Sequence, residues 1–328
     1  MEQVRIGVAG VGHLGRIHAR LWKQQPAAWL VGVYDIDQER AAEIAAALAV
    51  EAFPSFAALL QRVDAVAIVT PTTTHYTLAK EAMEQGKHCF IEKPITSTYA
   101  QAQELAALAA QQGVVLQVGH IERFNPALQV LKQYELHPVF IEAHRLAPFK
   151  PRSLDVSVVF DLMIHDLDIV LWLLKQYPKD VIANGVAVLT PHTDIANVRL
   201  TFDRTVVNLT ASRLSRKVLR KMRIFQEGAY FSVDFADQQV EVYRLMPKQE
   251  VSSHHLARIL GSIEDGVEER TIVYERPETP QGNPLLLEQQ VFLESILQGH
   301  PPAVSAEEAA EALRLAEDIE QVILRQSI

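Results

Sequence analysis

The chain has 328 residues, 48% of them hydrophobic and 22% charged, which is the composition of an ordinary globular protein and leaves room for two domains. Its net charge of -9 argues against a general nucleic-acid-binding protein, and its single cysteine excludes a disulfide framework within one chain. The sequence opens without a signal-peptide pattern and contains no stretch apolar enough to span a bilayer, so we expect a cytoplasmic protein with neither a membrane nor a nucleic-acid partner.

The first 120 residues alternate between short apolar runs and helical patterns. The runs are largely non-alternating, as expected for strands that are buried on both faces of a sheet. The predicted strands are residues 5–9, 29–34, 65–70, 88–91 and 114–118. The predicted helices between them are residues 38–48, 77–85 and 99–112. This rhythm predicts an α/β Rossmann domain with a doubly wound parallel sheet over residues 1–120.

The rhythm changes near Gly119, where longer strand-like runs begin to follow one another directly. Consecutive strands without intervening helices predict a large, mostly antiparallel sheet. These runs are residues 140–144, 181–189, 196–202, 206–212, 222–226, 230–235 and 239–243. Two capped helical patterns, 285–297 and 305–324, close the chain, and residues 246–284 are the expected long loop. We assign residues 121–328 to an α+β domain that binds the substrate and, through its sheet, joins a homodimer or homotetramer.

A glycine-rich turn follows the first predicted strand. Residues 10–15 form a G-x-G-x-x-G motif in its required context between a strand and a helix. Gly10 permits the tight turn, Gly12 lets a pyrophosphate approach the backbone, and Gly15 allows close packing of helix and strand. The N-terminus of the helix then offers N–H groups to the phosphates. The motif predicts a dinucleotide cofactor.

The choice of cofactor depends on Asp35, about 20 residues after the last motif glycine, at the end of the second predicted strand. A carboxylate there accepts hydrogen bonds from the ribose and repels a 2′-phosphate, so NAD is favoured, although Arg40 one helical turn away keeps NADP possible. The expected cofactor-binding residues are Gly10, Gly12, His13, Leu14, Gly15, Asp35, Thr70, Pro71, His75, Glu92 and Lys93.

The fourth predicted strand ends in Glu92-Lys93-Pro94. This position lies at the carboxyl edge of the predicted sheet, where ligands bind in open α/β folds. Lys93 there can present an ammonium to a substrate hydroxyl, although a surface lysine after a strand is an equally ordinary feature.

A second group of titratable side chains lies on a predicted helix that is apolar around most of its circumference. Asp161, His165 and Asp168 are spaced i, i+4, i+7 and should share one face. Histidine can act as a general base that a carboxylate orients, or these residues can be a helix-dipole carboxylate and a satisfied core histidine. No further histidine or cysteine cluster supports a metal site, so none is expected.

Together these motifs resemble the Gfo/Idh/MocA oxidoreductase family over nearly the whole chain. The resemblance rests on residues 10–15, residues 92–94, Asp161-x-x-x-His165 and the late Ser305-x-Glu307-Glu308-Ala309. It implies that Lys93, Asp161 and His165 act in hydride transfer at a sugar or polyol carbinol. The base could be His165 or Lys93, because a buried lysine with a depressed pKa can also accept a proton.

Within that family, residues 118–126 and 211–226 resemble the bacterial UDP-N-acetylglucosamine 3-dehydrogenases. Those enzymes oxidise the sugar 3-hydroxyl to a ketone for lipid A synthesis, which implies a nucleotide-sugar substrate here. Residues 213–223 hold six cations and no acid, a set that can receive a diphosphate or simply protect a sheet edge. The candidate substrate contacts are Arg123, Asn125, Arg145, Asp168 and Arg213.

Other functions stay open at this point. An inositol or simple-sugar dehydrogenase would use the same residues. A non-catalytic NAD-sensing regulator would have no need for Lys93, Asp161 and His165 together, and neither would a reductase of a bile-pigment-type molecule.

Overall fold

The computed structural model describes residues 3–149, 156–247, 258–264 and 269–326. Within them the chain divides into two compact units. The first unit contains described residues up to 124 together with residues 282–317, and the second contains the described residues from 125 to 281 together with residues 318–326.

The first unit is built on a six-stranded parallel sheet with the strand order β3-β2-β1-β4-β5-β6. Its strands are β1 (Val4–Ala9), β2 (Ala28–Tyr34), β3 (Glu51–Ala52), β4 (Ala65–Ile68), β5 (His88–Glu92) and β6 (Leu116–Gly119). The described α-helices of the whole chain are α1 (Gly15–Trp22), α2 (Gln38–Leu48), α3 (Phe56–Leu60), α4 (Thr72–Glu84), α5 (Tyr99–Gln112), α6 (Pro126–Leu131), α7 (Ile164–Leu174), α8 (Pro284–Gln298) and α9 (Ala306–Gln326). The strand order reverses direction between β1 and β4, which is the Rossmann arrangement that the sequence predicts.

The core of the first unit explains why residues 282–317 belong to it. Phe292 of α8 lies edge-on to Trp22 of α1 and to Phe90 of β5, with ring centroids 5.9 and 5.8 Å apart. All three side chains are fully buried. The predicted second domain therefore differs from the observed unit, because a buried helix face returns to the first unit late in the chain.

The second unit contains a nine-stranded sheet in the order β14-β15-β13-β12-β11-β7-β10-β9-β8. The strands are β7 (Phe140–Leu146), β8 (Asp180–Val186), β9 (Ile195–Thr201), β10 (Val206–Ser212), β11 (Leu219–Gln226), β12 (Ala229–Asp234), β13 (Gln239–Pro247), β14 (Arg258–Glu264) and β15 (Glu269–Glu275). Only β7 and β10 pair in parallel among the described pairs, so the predicted mostly antiparallel sheet is confirmed. Alternate residues along β7 are buried, which gives the sheet one core face and one more open face.

The expected long loop over residues 246–284 is wrong at residues 258–264 and 269–275, which form strands, while its residues 248–257 and 265–268 lie outside the described residues. β13 continues to Pro247, and β14 and β15 pair with each other, while β15 adds to the edge of β13. The run Thr271–Tyr274 has the β-branched and aromatic residues that favour strands, and β15, which lies between β14 and β13, buries Thr271 and Val273. No helix among the described residues is both long and apolar enough to cross a membrane.

Candidate active site

The glycine turn between β1 and α1 has the geometry that a dinucleotide site needs. Gly10 has φ +85°, and a Cβ there would lie 2.5 Å from the Val69 carbonyl oxygen. A Cβ at Gly15 would lie 1.9 Å from the Gly10 carbonyl oxygen, so these two positions accept only glycine. A Cβ at Gly12 would meet no described atom within 4 Å. The turn is therefore closed on its protein side and open where a pyrophosphate would approach.

The start of α1 is free of side-chain capping. Its N-cap residue, Leu14, makes no side-chain cap hydrogen bond, and both His13 and Leu14 are exposed. The first turn of a helix presents N–H groups and the positive end of the helix dipole. The predicted phosphate-binding residues thus fit an NAD diphosphate.

Asp35, at the carboxyl end of β2, is buried and joins two loops. Its Oδ2 accepts a hydrogen bond from the Val11 N–H at 2.8 Å, and its Oδ1 accepts one from the Asp37 N–H at 3.0 Å. Arg40 lies 3.4 Å from Asp35 and 2.8 Å from Asp37. The carboxylate expected to face the ribose is therefore oriented by the glycine turn itself.

His75 holds the loop after β4 to the turn after β5. The loop contains Thr70 and Pro71, and Pro71 is the N-cap of α4. The two ring nitrogens of His75 lie 2.9 Å from the carbonyl oxygens of Thr70 and Pro94. Burial of the ring lowers its pKa below the ordinary value, against the opposing effect of these hydrogen bonds. The ring thus fixes two segments at the carboxyl edge of the sheet.

The Glu92-Lys93-Pro94 turn is supported by a residue that the sequence analysis missed. His18 Nε2 lies 2.9 Å from Glu92 Oε1, and both side chains are buried. Burial would raise the pKa of Glu92, but the hydrogen bond and charge of His18 and the charge of Lys93 outweigh it, so the pKa lies below its usual value. Lys93 is partly exposed, and its bond to Pro94 is cis. The spacing of 74 residues between His18 and Glu92 left no local signal in the sequence.

In the second unit, the predicted helix over residues 161–174 begins differently from the prediction. Its first turn, Val159–Met163, is a π-helix, and α7 follows it. Such turns are frequently found at functional sites. Asp161 in the π turn and His165 in the first turn of α7 are both partly exposed, while Asp168 is 1% exposed. The structure thus presents the predicted acid–histidine pair at an accessible helix start and places Asp168 in the interior.

The other candidate substrate residues have protein partners. Arg145 is buried and makes two hydrogen bonds to the Asp166 carboxylate, at 2.9 and 2.8 Å. Arg123 is also buried and donates to Glu308 at 2.8 Å. These contacts show how the two guanidinium groups are held, and their roles toward a substrate stay predictions.

Asn125 has the helix-start role that the sequence analysis considered beside a sugar contact. Its Oδ1 accepts from the Ala127 N–H at 3.1 Å and caps α6, and its Nδ2 donates to the Phe235 carbonyl at 3.0 Å. Both polar atoms of the amide therefore have protein partners.

The six cations of residues 213–223 do not form one cluster. Arg213 is buried, donates to the Val156 carbonyl at 2.7 Å and lies 3.9 Å from Asp194. Lys221 and Arg223 pair with acidic residues of neighbouring strands, at 3.1 Å in each case. The cations Arg216, Lys217 and Arg220 are exposed.

A groove of about 630 Å³ lies beside the loop between β10 and β11. Its lining residues are Leu146, Ser215, Arg216, Lys217, Val218 and Leu219. Two cations next to apolar side chains can bind an anionic group that is attached to a flat, less polar one. Of the six cations, Arg216 and Lys217 line this groove.

Two family models match the chain. Residues 4–120 match the oxidoreductase family with an NAD-binding Rossmann fold, and residues 139–232 match the Gfo/Idh/MocA C-terminal domain. These matches confirm the predicted family, fold class, cofactor and oxidoreductase activity.

Individual relatives agree with the family models. A UDP-N-acetylglucosamine 3-dehydrogenase from Acidithiobacillus ferrooxidans is 51% identical over 245 residues, which is 74% of this chain and 78% of the relative. A solved structure of the enzyme with that name from the same organism superposes with a TM-score of 0.87 at 41% identity, over 98% of each chain. A myo-inositol 2-dehydrogenase from Thermotoga maritima is 28% identical over 95% of this chain and 94% of the relative. The chain therefore belongs to the Gfo/Idh/MocA family of NAD-dependent oxidoreductases.

Proposed function

We propose that this protein oxidises the 3-hydroxyl of UDP-N-acetylglucosamine to a ketone and reduces NAD. The observation that carries the proposal is the 51% identity, over 74% of the chain, to the relative of that name. The groove with Arg216 and Lys217 supports it, because an inositol or a free sugar would have no diphosphate for two cations to bind.

The chemistry we propose uses three side chains, Lys93, Asp161 and His165. NAD, when bound by the glycine turn and Asp35, supplies the acceptor for the hydride that leaves the carbinol carbon. His165 accepts the hydroxyl proton, and Lys93 donates a hydrogen bond to the same oxygen and stabilises its developing negative charge. Asp161, one helical turn before His165, orients the base. Two electrons leave with the hydride, so the products are a ketone, NADH and a proton.

A ligand panel tests the substrate. NAD should raise the melting temperature by mass action, and UDP or UDP-N-acetylglucosamine should raise it further. Formation of NADH with UDP-N-acetylglucosamine, together with a product that lacks two hydrogens by mass spectrometry, would establish the reaction. A thermal shift with NAD but none with UDP compounds, and NADH formation with myo-inositol instead, would favour the inositol dehydrogenase alternative that the Thermotoga maritima relative represents.

The catalytic assignment has its own test. Lys93→Met keeps the length of the side chain and removes the ammonium, so turnover should fall by about 1,000-fold or more while NAD binding stays near normal. The control is Lys87→Met, a lysine on the same unit whose Nζ donates to the Val63 carbonyl at 2.9 Å. Wild-type turnover in Lys93→Met would remove the lysine from the mechanism.

We also propose that the open face of the nine-stranded sheet joins a second copy of the chain. A continuous aromatic row crosses this face, with stacked rings 4.7 and 5.1 Å apart at its centre. The row consists of Phe140, Phe225, Tyr230, Tyr243 and Tyr274, directly opposed on neighbouring strands. Each ring is only half-buried within one chain, and burying such rings contributes strongly to interfaces.

Light scattering after size-exclusion chromatography tests this contact. Tyr230→Lys should convert the wild-type assembly to a smaller one, because a charge would be buried in the aromatic row. Trp29→Lys is the matched control, since Trp29 is 56% exposed on the other unit and should leave the mass unchanged. A monomeric wild-type protein would contradict the proposal.

A further inference from the structure

His18 lies in the middle of α1, the helix whose N-terminus follows the glycine turn. Its side chain is fully buried, and its ring packs against Phe90 with the centroids 5.5 Å apart. Gln289 of α8 donates to the His18 carbonyl at 3.2 Å. The backbone of α1 at His18 is therefore bound to α8, while the His18 ring packs against β5 and its Nε2 faces Glu92.

Glu92 connects His18 to the backbone of Lys93. Its Oε1 lies 2.9 Å from His18 Nε2, and its Oε2 accepts a hydrogen bond from the Lys93 backbone N–H at 3.1 Å. Gly119 lies opposite Glu92 on β6, and a Cβ there would come within 3.0 Å of Oε1. A side chain at residue 119 would therefore press on the carboxylate and require it to shift.

We propose that His18 is a positioning residue for the reaction. It ties Glu92, and through Glu92 the backbone of Lys93, to the helix that receives the cofactor diphosphate. A carboxylate can only accept hydrogen bonds, so His18 donates from Nε2. Without that donor the buried carboxylate must turn toward water, which breaks its hydrogen bond with the Lys93 N–H, or be protonated, which weakens that bond. The inference rests on the proposed role of Lys93 in the reaction.

Three variants test it, with NAD and whichever compound of the ligand panel supports NADH formation. His18→Phe keeps a ring and removes the donor, so kcat should fall by about 10- to 100-fold, because a displacement of about 1 Å at a reacting group has an effect of that size. The Kd for NAD should stay within about threefold of wild type, because the glycine turn is untouched. A substrate deuterated at the oxidised carbon should show a larger isotope effect on kcat, since the hydride step becomes slower relative to product release.

The other two variants separate positioning from a merely structural effect. His18→Gln places an amide N–H near the position of Nε2 and should restore most of the lost kcat. Gly119→Ala pushes on the same carboxylate oxygen from β6 and should reproduce the lowered kcat and raised isotope effect without any change at His18.

The outcomes also distinguish this inference from the proposed function. A folded His18→Phe protein with wild-type kcat and isotope effect would overturn the inference, while an inactive Lys93→Met would leave the proposed mechanism standing. An active Lys93→Met would defeat both. If His18→Phe fails to fold, Gly119→Ala decides, and a wild-type kcat in that variant overturns the inference.

Discussion

Two segments of the chain carry sequence signals for binding phosphate, and the structure treats them differently. Residues 10–15 fold into the open glycine turn that the motif predicts. Residues 213–223 hold six cations in the sequence, but in the structure three of them, Arg213, Lys221 and Arg223, each lie beside a different acidic residue. The glycine motif therefore forms the predicted turn, while the six cations do not form the single cluster that their count suggests.

The difference has a physical cause. The glycine motif works through backbone N–H groups and close approaches within one strand–turn–helix segment, so its geometry is local. Side chains on a strand point alternately to opposite faces, so neighbouring charges separate as soon as the strand forms. On β11, Lys221 and Arg223 point away from the buried Met222 and Ile224. A charge count along the chain therefore overestimates the charge at any one place.

The largest expected effect comes from filling the open part of the turn. Gly12→Val places a side chain where the structure leaves space, so the fold should be kept and the melting temperature should stay near that of wild type. The affinity for NAD, measured by calorimetry, should fall by about 100-fold because the side chain occupies the path of the pyrophosphate. Gly15→Ala is the contrasting variant, since its Cβ would clash with the Gly10 carbonyl and lower the stability itself. Normal NAD binding in Gly12→Val would show that the glycine turn does not receive the pyrophosphate.

A smaller effect, on the stability of the fold, is expected for Asp194, which lies beside Arg213. Burial would raise the pKa of Asp194, but hydrogen bonds from the N–H groups of Val188, Leu189 and Thr190 lower it to about 2. Because the folded pKa lies below the unfolded value of 3.8, this carboxylate stabilises the fold above about pH 4, and its contribution disappears as the pH falls toward 2.

Asp194→Asn should therefore reduce the free energy of unfolding by about 2 kcal/mol at pH 7 and by less at lower pH. Urea denaturation at several pH values measures this, with Asp180→Asn on the exposed edge strand as the control. An equal loss of stability at every pH would show that Asp194 stabilises the turn between β8 and β9 by packing and not by its charge.

The cations of the groove should affect the substrate and not the fold. The double variant Arg216→Ala, Lys217→Ala should raise the KM for UDP-N-acetylglucosamine by about 10-fold, because hydrogen bonds to a charged group contribute about 1.5–3 kcal/mol each and solvent reduces that here. The Kd for NAD should not change. An unchanged KM would move the diphosphate site elsewhere and weaken the nucleotide-sugar proposal.

The smallest effect on the KM for the nucleotide sugar is expected for Arg223. Arg223→Ala removes a partly exposed ion pair with Glu142, and such pairs contribute less than about 1 kcal/mol to stability. The KM for the nucleotide sugar should stay within about twofold of wild type. A rise as large as that of the groove variant would show that all of residues 213–223 act together, as the charge count alone suggests.

The sequence predictions are likewise most accurate where local residues define an element. The helices 38–48 and 99–112 were predicted to the residue, because Asp37 caps one and Gly113 ends the other. The helix predicted over 77–85 begins at Thr72 in the structure. Its N-cap residue, Pro71, has no polar side chain that would indicate this start in the sequence. The strands β14 and β15 lie inside the loop predicted over 246–284, because the Pro, Gly, Ser and His residues of that stretch outweigh its short strand pattern.

Sequence alone suffices to predict the Rossmann fold, the glycine turn with Asp35 and the family. Each depends on short segments in which backbone geometry or a motif suffices. Which polar side chains already have protein partners becomes visible only in the folded chain: Arg145 pairs with Asp166, Arg213 is buried beside Asp194, and His18 contacts Glu92. These partners are far apart in the chain, and a buried polar contact leaves no periodic or local trace that a sequence could display.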